Sequence, residues 1–523
     1  MMRASPASRR HFLKMMAAAA PLGAAAPFAL QLATLGSAAA QSAPTGYKAL
    51  VCIFMFGGND SNNMVLATDT DSWNRYLLAR NTGNDPIALM PPGTPPAPVG
   101  SISPVTARTV TRNTPEFLGG VLPIVPQTPN AIPAGTVAST RTFGLHPAMS
   151  PLVQGAASPW SSGRLAVLAN VGPLITPTTK AQYVARSVPL PLNLMSHNDQ
   201  VSIWQSGAAE GAQRGWGGLM ADTMLAQNGS SAVFTAVSAT GNAVFLSGDT
   251  AIQYQISTST QPAIQPNAAT GSTLYGSATA ALALSDSIRD TSGASFFAQD
   301  HAAMTRRAMD SAQALNAAFA SGPAAAIPPP TPYVNPVTGV AEANPLAFQL
   351  MTVARSVAAA PTLGVTRQVF FVGLGGFDTH DSQNPTHANL LGKVAHAMAY
   401  FDGVLGNIGG LNMRGGVTTF TMSDFSRTFS SNGDGTDHAW GGHQFIMGGA
   451  VRGRDIYGQF PTLGVDRAGF NNPDMSGNIL VPTSSVYQLG ATLGKWFGLS
   501  DAQLLTIFPN LSNFSRRDLG FMV

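Results

Sequence analysis

Charge is scarce in this chain. Only 10% of its 523 residues are Asp, Glu, Lys or Arg, against about 25% in an ordinary soluble protein. Cysteine is nearly absent. Cys52 stands alone, so no intramolecular disulfide forms and a disulfide-stapled scaffold is excluded. A basic excess is missing too. The formal net charge is +3, but Arg3, Arg9, Arg10 and Lys14 fall within residues 1–40, where there is no acid. Without those four the 28 Lys and Arg become 24 against 25 acids, a net of −1. No Lys/Arg run interleaves with aromatics, so nucleic acid is not an expected partner. Beyond residue 40 no continuous apolar run reaches the ~18 residues of a membrane span, so none is expected once a signal is removed.

Apolar residues, by contrast, make up 45% of the chain. That is ample for a core and excludes disorder throughout. Proline (38) and glycine (54) are plentiful, so much of the chain is expected to be loop. Ser8-Arg9-Arg10-His11-Phe12-Leu13-Lys14 precedes an Ala-rich stretch ending at Ala38-Ala39-Ala40. This resembles a twin-arginine export signal. The expectation is export by the twin-arginine machinery, cleavage near Ala40, and a periplasmic or secreted protein. In that oxidising compartment a lone Cys52 inside an apolar run reads as a small buried hydrophobe.

The rest, 41–523, reads as one α/β domain. Ala49–Phe56, Leu165–Val171, Gln368–Leu374 and Val417–Met422 are short continuous apolar runs, as expected of central parallel strands buried on both faces. Each ends in glycine or polar residues, at the sheet edge where open α/β folds build their sites. Leu390, Leu391, Val394, Ala397, Met398, Phe401, Val404 and Leu405 repeat at helical spacing, which predicts a helix from a Thr386 cap to about Leu405. A helical pair is expected at Ser485–Phe497 and Asp501–Phe508. The fold class is therefore a mostly parallel sheet with helices on both faces. Insertions are expected at 83–137, as a covering loop, and at 255–345, with one long helix near 293–320.

Chemistry-bearing residues concentrate between 380 and 443. His380, His387, His396, His438 and His443 lie there, with Asp378, Asp381, Asp424, Asp434 and Asp437 beside or between them. Imidazole and carboxylate together suit a zinc-like or mixed divalent site. The motifs in order are Gly57-Gly58-Asn59-Asp60, Met195-Ser196-His197, Gly375-Gly376-Phe377-Asp378-Thr379-His380, Ser423-Asp424-Phe425-Ser426-Arg427-Thr428, and Gly435-Thr436-Asp437-His438-Ala439-Trp440-Gly441-Gly442-His443. Over about 47–510 this resembles a bacterial family of unknown function, mostly exported by the twin-arginine route, which looks related to the alkaline phosphatase and sulfatase superfamily.

That resemblance implies an alkaline phosphatase-like fold and an exported metal-dependent hydrolase of phosphate or sulfate esters. It implies Asp60, Asp437 and His438 at one divalent ion, and Asp378, His380 and His443 at a second. The ions would be zinc, calcium or magnesium. It implies Ser196 as nucleophile and Arg427 as a clamp on the anionic ester. Here only Thr379 separates the third motif's Asp and His, where the superfamily usually leaves three residues. Plainer readings stand beside these. Asp60 could cap a turn, Ser196-His197 could be a helix cap and a structural histidine, and Arg427 could pair with Asp424. A metal-binding scaffold without catalysis is the alternative function.

Overall fold

The computed structural model describes residues 46–523 except 105, 131–140, 257, 259–275, 291 and 293–294. The signal expected at 1–40 lies outside the described residues. A nine-stranded sheet forms the centre. Its strands are β1 (Lys48–Met55), β2 (Leu165–Gly172), β3 (Ala236–Ser238), β4 (Tyr254–Gln255), β5 (Arg367–Leu374), β6 (Val417–Ser423), β7 (Gly442–Gly448), β8 (Ile456–Tyr457) and β9 (Ser484–Ser485). The order is β8-β2-β7-β6-β1-β5-β3-β4, with β9 also beside β2. All pairings are parallel except those of β7, which runs antiparallel to both β6 and β2. The expected α/β class is the observed one.

Alternation along β1 shows why the central strands read as unbroken apolar runs. Ala49, Val51, Ile53 and Met55 enter one core, and Leu50, Cys52 and Phe54 the other. Successive side chains point to opposite faces, and here both faces are dry. Cys52 is fully buried.

The helices used below are α1 (Ser61–Met64), α2 (Thr70–Arg80), α3 (His197–Ser206), α4 (Trp216–Asp222), α5 (Phe296–Phe319), α6 (Pro345–Leu363), α7 (Gln383–Leu405), α8 (Val486–Phe497) and α9 (Asp501–Ile507). Helices α6 and α7 fill the first core, and α4 and α8 the second. By length and composition α6 could cross a membrane, but 67% of its apolar window is buried inside the protein. The expected stripe of α7 is buried throughout. Its start is earlier than Thr386, at Gln383, after Ser382 in a left-handed conformation (φ 47°) whose side chain makes no capping hydrogen bond. Ser485 and Ser500 close capping boxes on α8 and α9, each satisfying free N–H groups of a first turn.

The described residues of the 83–137 segment are mostly irregular. They contribute Leu122–Ile124 to a small sheet with Phe143–Leu145 and Val65–Ala67. The long helix expected near 293–320 is α5.

Because β1, β2, β5 and β6 run parallel, their C-terminal ends share one edge, where β7 begins. The loops after Met55, Leu374 and Ser423, and the one before Gly442, therefore meet. The Asp378 motif follows β5 directly, whereas the Asp437 motif follows no parallel strand. β1 separates β5 from β6, and Asp437-His438 precede the antiparallel β7.

Candidate metal centre

Gly57 sets the floor of the site. Its φ is 114°, and a Cβ there would stand 2.4 Å from the Asp378 backbone nitrogen. Only glycine permits this approach of the first loop to the third. Phe377 N donates to Phe56 O at 3.0 Å, placing Asp378 at the edge. From the fourth loop, residues 426–428 pair antiparallel with 437–440. Ala439 N donates to Ser426 O at 2.9 Å and Thr428 N to Asp437 O at 2.9 Å. This turn folds His438 back over Asp378. Thr436 N, donating to Thr379 O at 3.1 Å, ties the two loops together.

His197, first residue of α3, arrives from the long segment after β2. Its Nε2 lies 3.4 Å from Asp378 Oδ2. Asp378 Oδ1 lies 3.1 Å from His380 Nε2 and 3.3 Å from His438 Nε2. The two Nε2 atoms of His380 and His438 are 2.9 Å apart. Among the described residues, His197, Asp378 and His438 thus offer ligand atoms within 4.8 Å of one another, and His380 Nε2 stands beside Asp378 and His438.

The outer nitrogens decide the protonation. His197 Nδ1 contacts Asp424 Oδ2 at 2.7 Å, His438 Nδ1 contacts Met195 O at 2.8 Å, and His380 Nδ1 contacts Asp437 Oδ1 at 3.2 Å. Carboxylates and carbonyls accept only, so each Nδ1 carries a proton, and a ring with no second proton turns an Nε2 lone pair inward. Such an arrangement is the usual outer shell of metal-binding histidines. Two lone pairs facing at 2.9 Å repel unless a cation or a proton lies between them. Donors ~2.0–2.1 Å from a tetrahedral ion are separated by ~3.3 Å, close to the 3.1–3.4 Å from each Nε2 to Asp378 and wider than the 2.9 Å between the two rings. His197 Nε2 is also buried without a hydrogen-bond partner. The residues therefore fit a divalent ion.

Donation to Asp424 raises the His197 imidazole above its ordinary value, which favours its protonated form until an ion displaces the proton on Nε2. Burial lowers that of His438. Burial alone would raise the Asp378 carboxyl, but the Arg427 hydrogen bond and charge outweigh it and hold the group below the usual carboxylate range.

The profile of a family described as "Protein of unknown function (DUF1501)" matches residues 47–508. The chain belongs to the DUF1501 family. No curated protein matches it.

In this DUF1501 chain Asp378, His380 and His438 come together as the sequence suggests. Other expected residues stand elsewhere. Asp60 is fully buried. It caps α1 through Asn62 N, pairs through both oxygens with Arg80, and accepts from Gln383 Nε2 at 2.6 Å. Its carboxylate is closed to an ion, and the plainer reading of the turn describes it. His443 is the second residue of β7 and fully buried; its Nδ1 accepts from Asn170 N at 3.1 Å and its ring stacks on Phe460. It belongs to the sheet, at the bulge where the β7–β2 register shifts, and not to the cluster. Asp437 is the outer partner of His380.

Arg427 has no side-chain exposure. It donates to Gly58 O (2.8 Å), Thr436 O (3.0 Å), Gly57 O (2.6 Å) and Phe377 O (3.2 Å), and to Asp378. Its partner is Asp378, not Asp424, and it clamps the edge loops rather than an ester. Ser196 donates to Asp199 Oδ2 at 2.8 Å, and its neighbour His197 is the residue that faces the site. His197 and Asp424 are what sequence reasoning missed. The signal available was the adjacency of His197 to the Ser196 motif.

Proposed function

We propose that this protein is an exported metal-dependent hydrolase of phosphate or sulfate esters, built around one ion held by His197, Asp378, His380 and His438. The carrying observation is that all three rings place Nδ1 on an outer acceptor and bring Nε2 within 3.1–3.4 Å of Asp378. Three imidazoles favour a zinc-like ion over calcium or magnesium, which prefer all-oxygen ligands. Side-chain exposure of 24–46% at His438, His197, His380 and Asp378 leaves room for a substrate, unlike the closed sites of structural zinc. A divalent ion there supplies Lewis acidity, polarising an ester oxygen and lowering the pKa of water toward ~7.

The chain's own residues prepare that chemistry. Asp424, Asp437 and the Met195 carbonyl fix the three ring tautomers. Arg427 keeps Asp378 ionised and in place. Phe425 packs against His197 and His438, with ring centroids at 4.8 and 4.5 Å, and shields their inner faces. Ser196 is not required as nucleophile in this reading. The likeness of the motifs to the alkaline phosphatase and sulfatase superfamily, and a ligand cluster at the C-terminal edge of a parallel sheet, support the ester as substrate. Arg9-Arg10 supports the export route.

The test is metal analysis of the protein purified from its own periplasm, followed by turnover of chromogenic phosphate and sulfate esters. One ion per chain, lost in His197→Ala together with turnover, is expected. Bound ion without turnover of any ester overturns the hydrolase and supports the non-catalytic scaffold. No ion in the native protein overturns the centre.

A further inference from the structure

A groove of about 790 Å³, lined by Tyr183, Val184, Arg186, Leu190, Leu192 and Met195 among others, shares Met195 with the outer side of His438. Two contacts join it to the ligands. Met195 forms part of its wall and holds His438 through its carbonyl at 2.8 Å. Tyr183 packs on Trp440, two residues after His438, with centroids 5.3 Å apart. The wall is shaped against local preference. Arg186, Asn193 and Met195 all have positive φ, at 49°, 47° and 72°, a conformation uncommon for non-glycine residues. Buried Gln200 anchors the strap by donating to Leu192 O at 3.3 Å.

The lining has a definite chemistry. Tyr183, Leu190 and Leu194 rest on the core beneath, whereas Val184 and Leu192 are 64% and 68% exposed. Large apolar side chains held open in one concave surface mark a binding site more than scattered ones do. Among the described residues no acid lines the groove. Its one cation is Arg186, which has no ion pair among the described residues.

We propose that this groove binds the alcohol side of the substrate, so that the enzyme acts on anionic esters of hydrophobic alcohols. This rests on the hydrolase reading above. The anionic head lies at the ligand cluster, the apolar group lies along Leu192 and Val184, and Arg186 draws the negative charge in. The reaction is hydrolysis of the ester bond, with water as the second reactant and the free alcohol and the acid anion as products.

The test uses the full processed protein with methyl, butyl and octyl phosphates and sulfates. A buried methylene is worth up to ~4-fold, so kcat/KM is expected to rise ~10-fold or more from methyl to octyl. Leu192→Asp combined with Val184→Asp should bring the octyl-to-methyl ratio toward one, and these exposed positions should leave the melting temperature unchanged. Calorimetry on the metal-stripped protein gives a second readout. Octylphosphonate should bind with a negative heat-capacity change, methylphosphonate should not, and the double variant should lose the difference. Equal rates along the series, or octylphosphonate binding that survives both substitutions, overturns the groove. Hydrolysis of no ester, with octylphosphonate binding that depends on Leu192 and Val184, overturns the hydrolase and keeps the groove as a site for apolar anions.

Discussion

Asp424 accepts from His197 Nδ1 at 2.7 Å and from Gly57 N at 3.1 Å, so one carboxylate orients a ligand and pins the first loop. Asp424→Asn keeps the size but removes the charge that makes the ring basic. Outer-shell changes of this kind cost ~10–100-fold in metal affinity, and competition with a chelator should show that loss. Asp60 behaves differently. It and Arg80 have no side-chain exposure, so Asp60→Asn leaves a buried guanidinium without its counter-charge. The expected cost is ~3–5 kcal/mol, read as a lower urea midpoint, with metal stoichiometry unchanged. Loss of the ion in Asp60→Asn at full occupancy of the fold would restore Asp60 as a ligand. Ser196→Ala should change turnover little, because its hydroxyl bonds Asp199 and not the cluster.

At the scale of elements, the site is a meeting of loops at one edge of the sheet. Gly57 makes the closest approach, with the Asp378 backbone where its Cβ would be. Gly57→Ala should push the Asp378 loop outward and lose the ion while far-ultraviolet circular dichroism stays that of the native protein. Retained metal in this variant would mean that the loop yields cheaply. The antiparallel β7 is the second device. It brings chain into the sheet at the same edge from which β6 departs, so the connection between them can turn His438 onto Asp378 within a short span.

Across the whole molecule, two cores sandwich the sheet and leave several histidines dry. Burial pushes His387 down to about 4 and His443 down to about 3, and takes His146 well below its ordinary value. In the unfolded chain each binds its proton near ~6.5. Between ~6.5 and the folded value the unfolded chain holds more protons, so stability rises with pH there. Acidification from pH 7 to 5 should therefore lower stability, by up to ~1.4 kcal/mol per pH unit for each such ring. Asp60 adds to this at lower pH. Burial raises its carboxyl, but Arg80 and Gln383 bring it below the ordinary value. Its contribution is present above ~3.9 and is lost as pH falls through the folded value. Urea midpoints at pH 7.5, 6 and 5 check the slope, and a flat profile would contradict it. On the export route proposed above, replacing Arg9 and Arg10 by lysine should keep the protein out of the periplasm, as fractionation would show.

The α/β fold was legible in the sequence because a strand dry on both faces has no freedom of composition. Lys48–Met55 and Arg367–Leu374 could hardly be anything else in an apolar run closed by glycine. That Asp378, His380 and His438 gather at one place was legible for a similar reason, since imidazole and carboxylate cluster on glycine-flanked loops in the sequence. Roles that depend on a partner were not. Asp60 was open to an ion on paper and is closed by Arg80, which only the packing of α2 brings to it. Asp437 and His443 belong to the same motif as His438, yet one turns outward to His380 and the other enters the sheet beside Asn170. His197 lies far along the chain from the other ligands and joins them only because β2 is parallel to β5 and its outgoing segment crosses the shared edge. Local sequence decides which groups can bind an ion. Strand order and direction decide which of them reach the same point, because lone pairs act over a few ångströms.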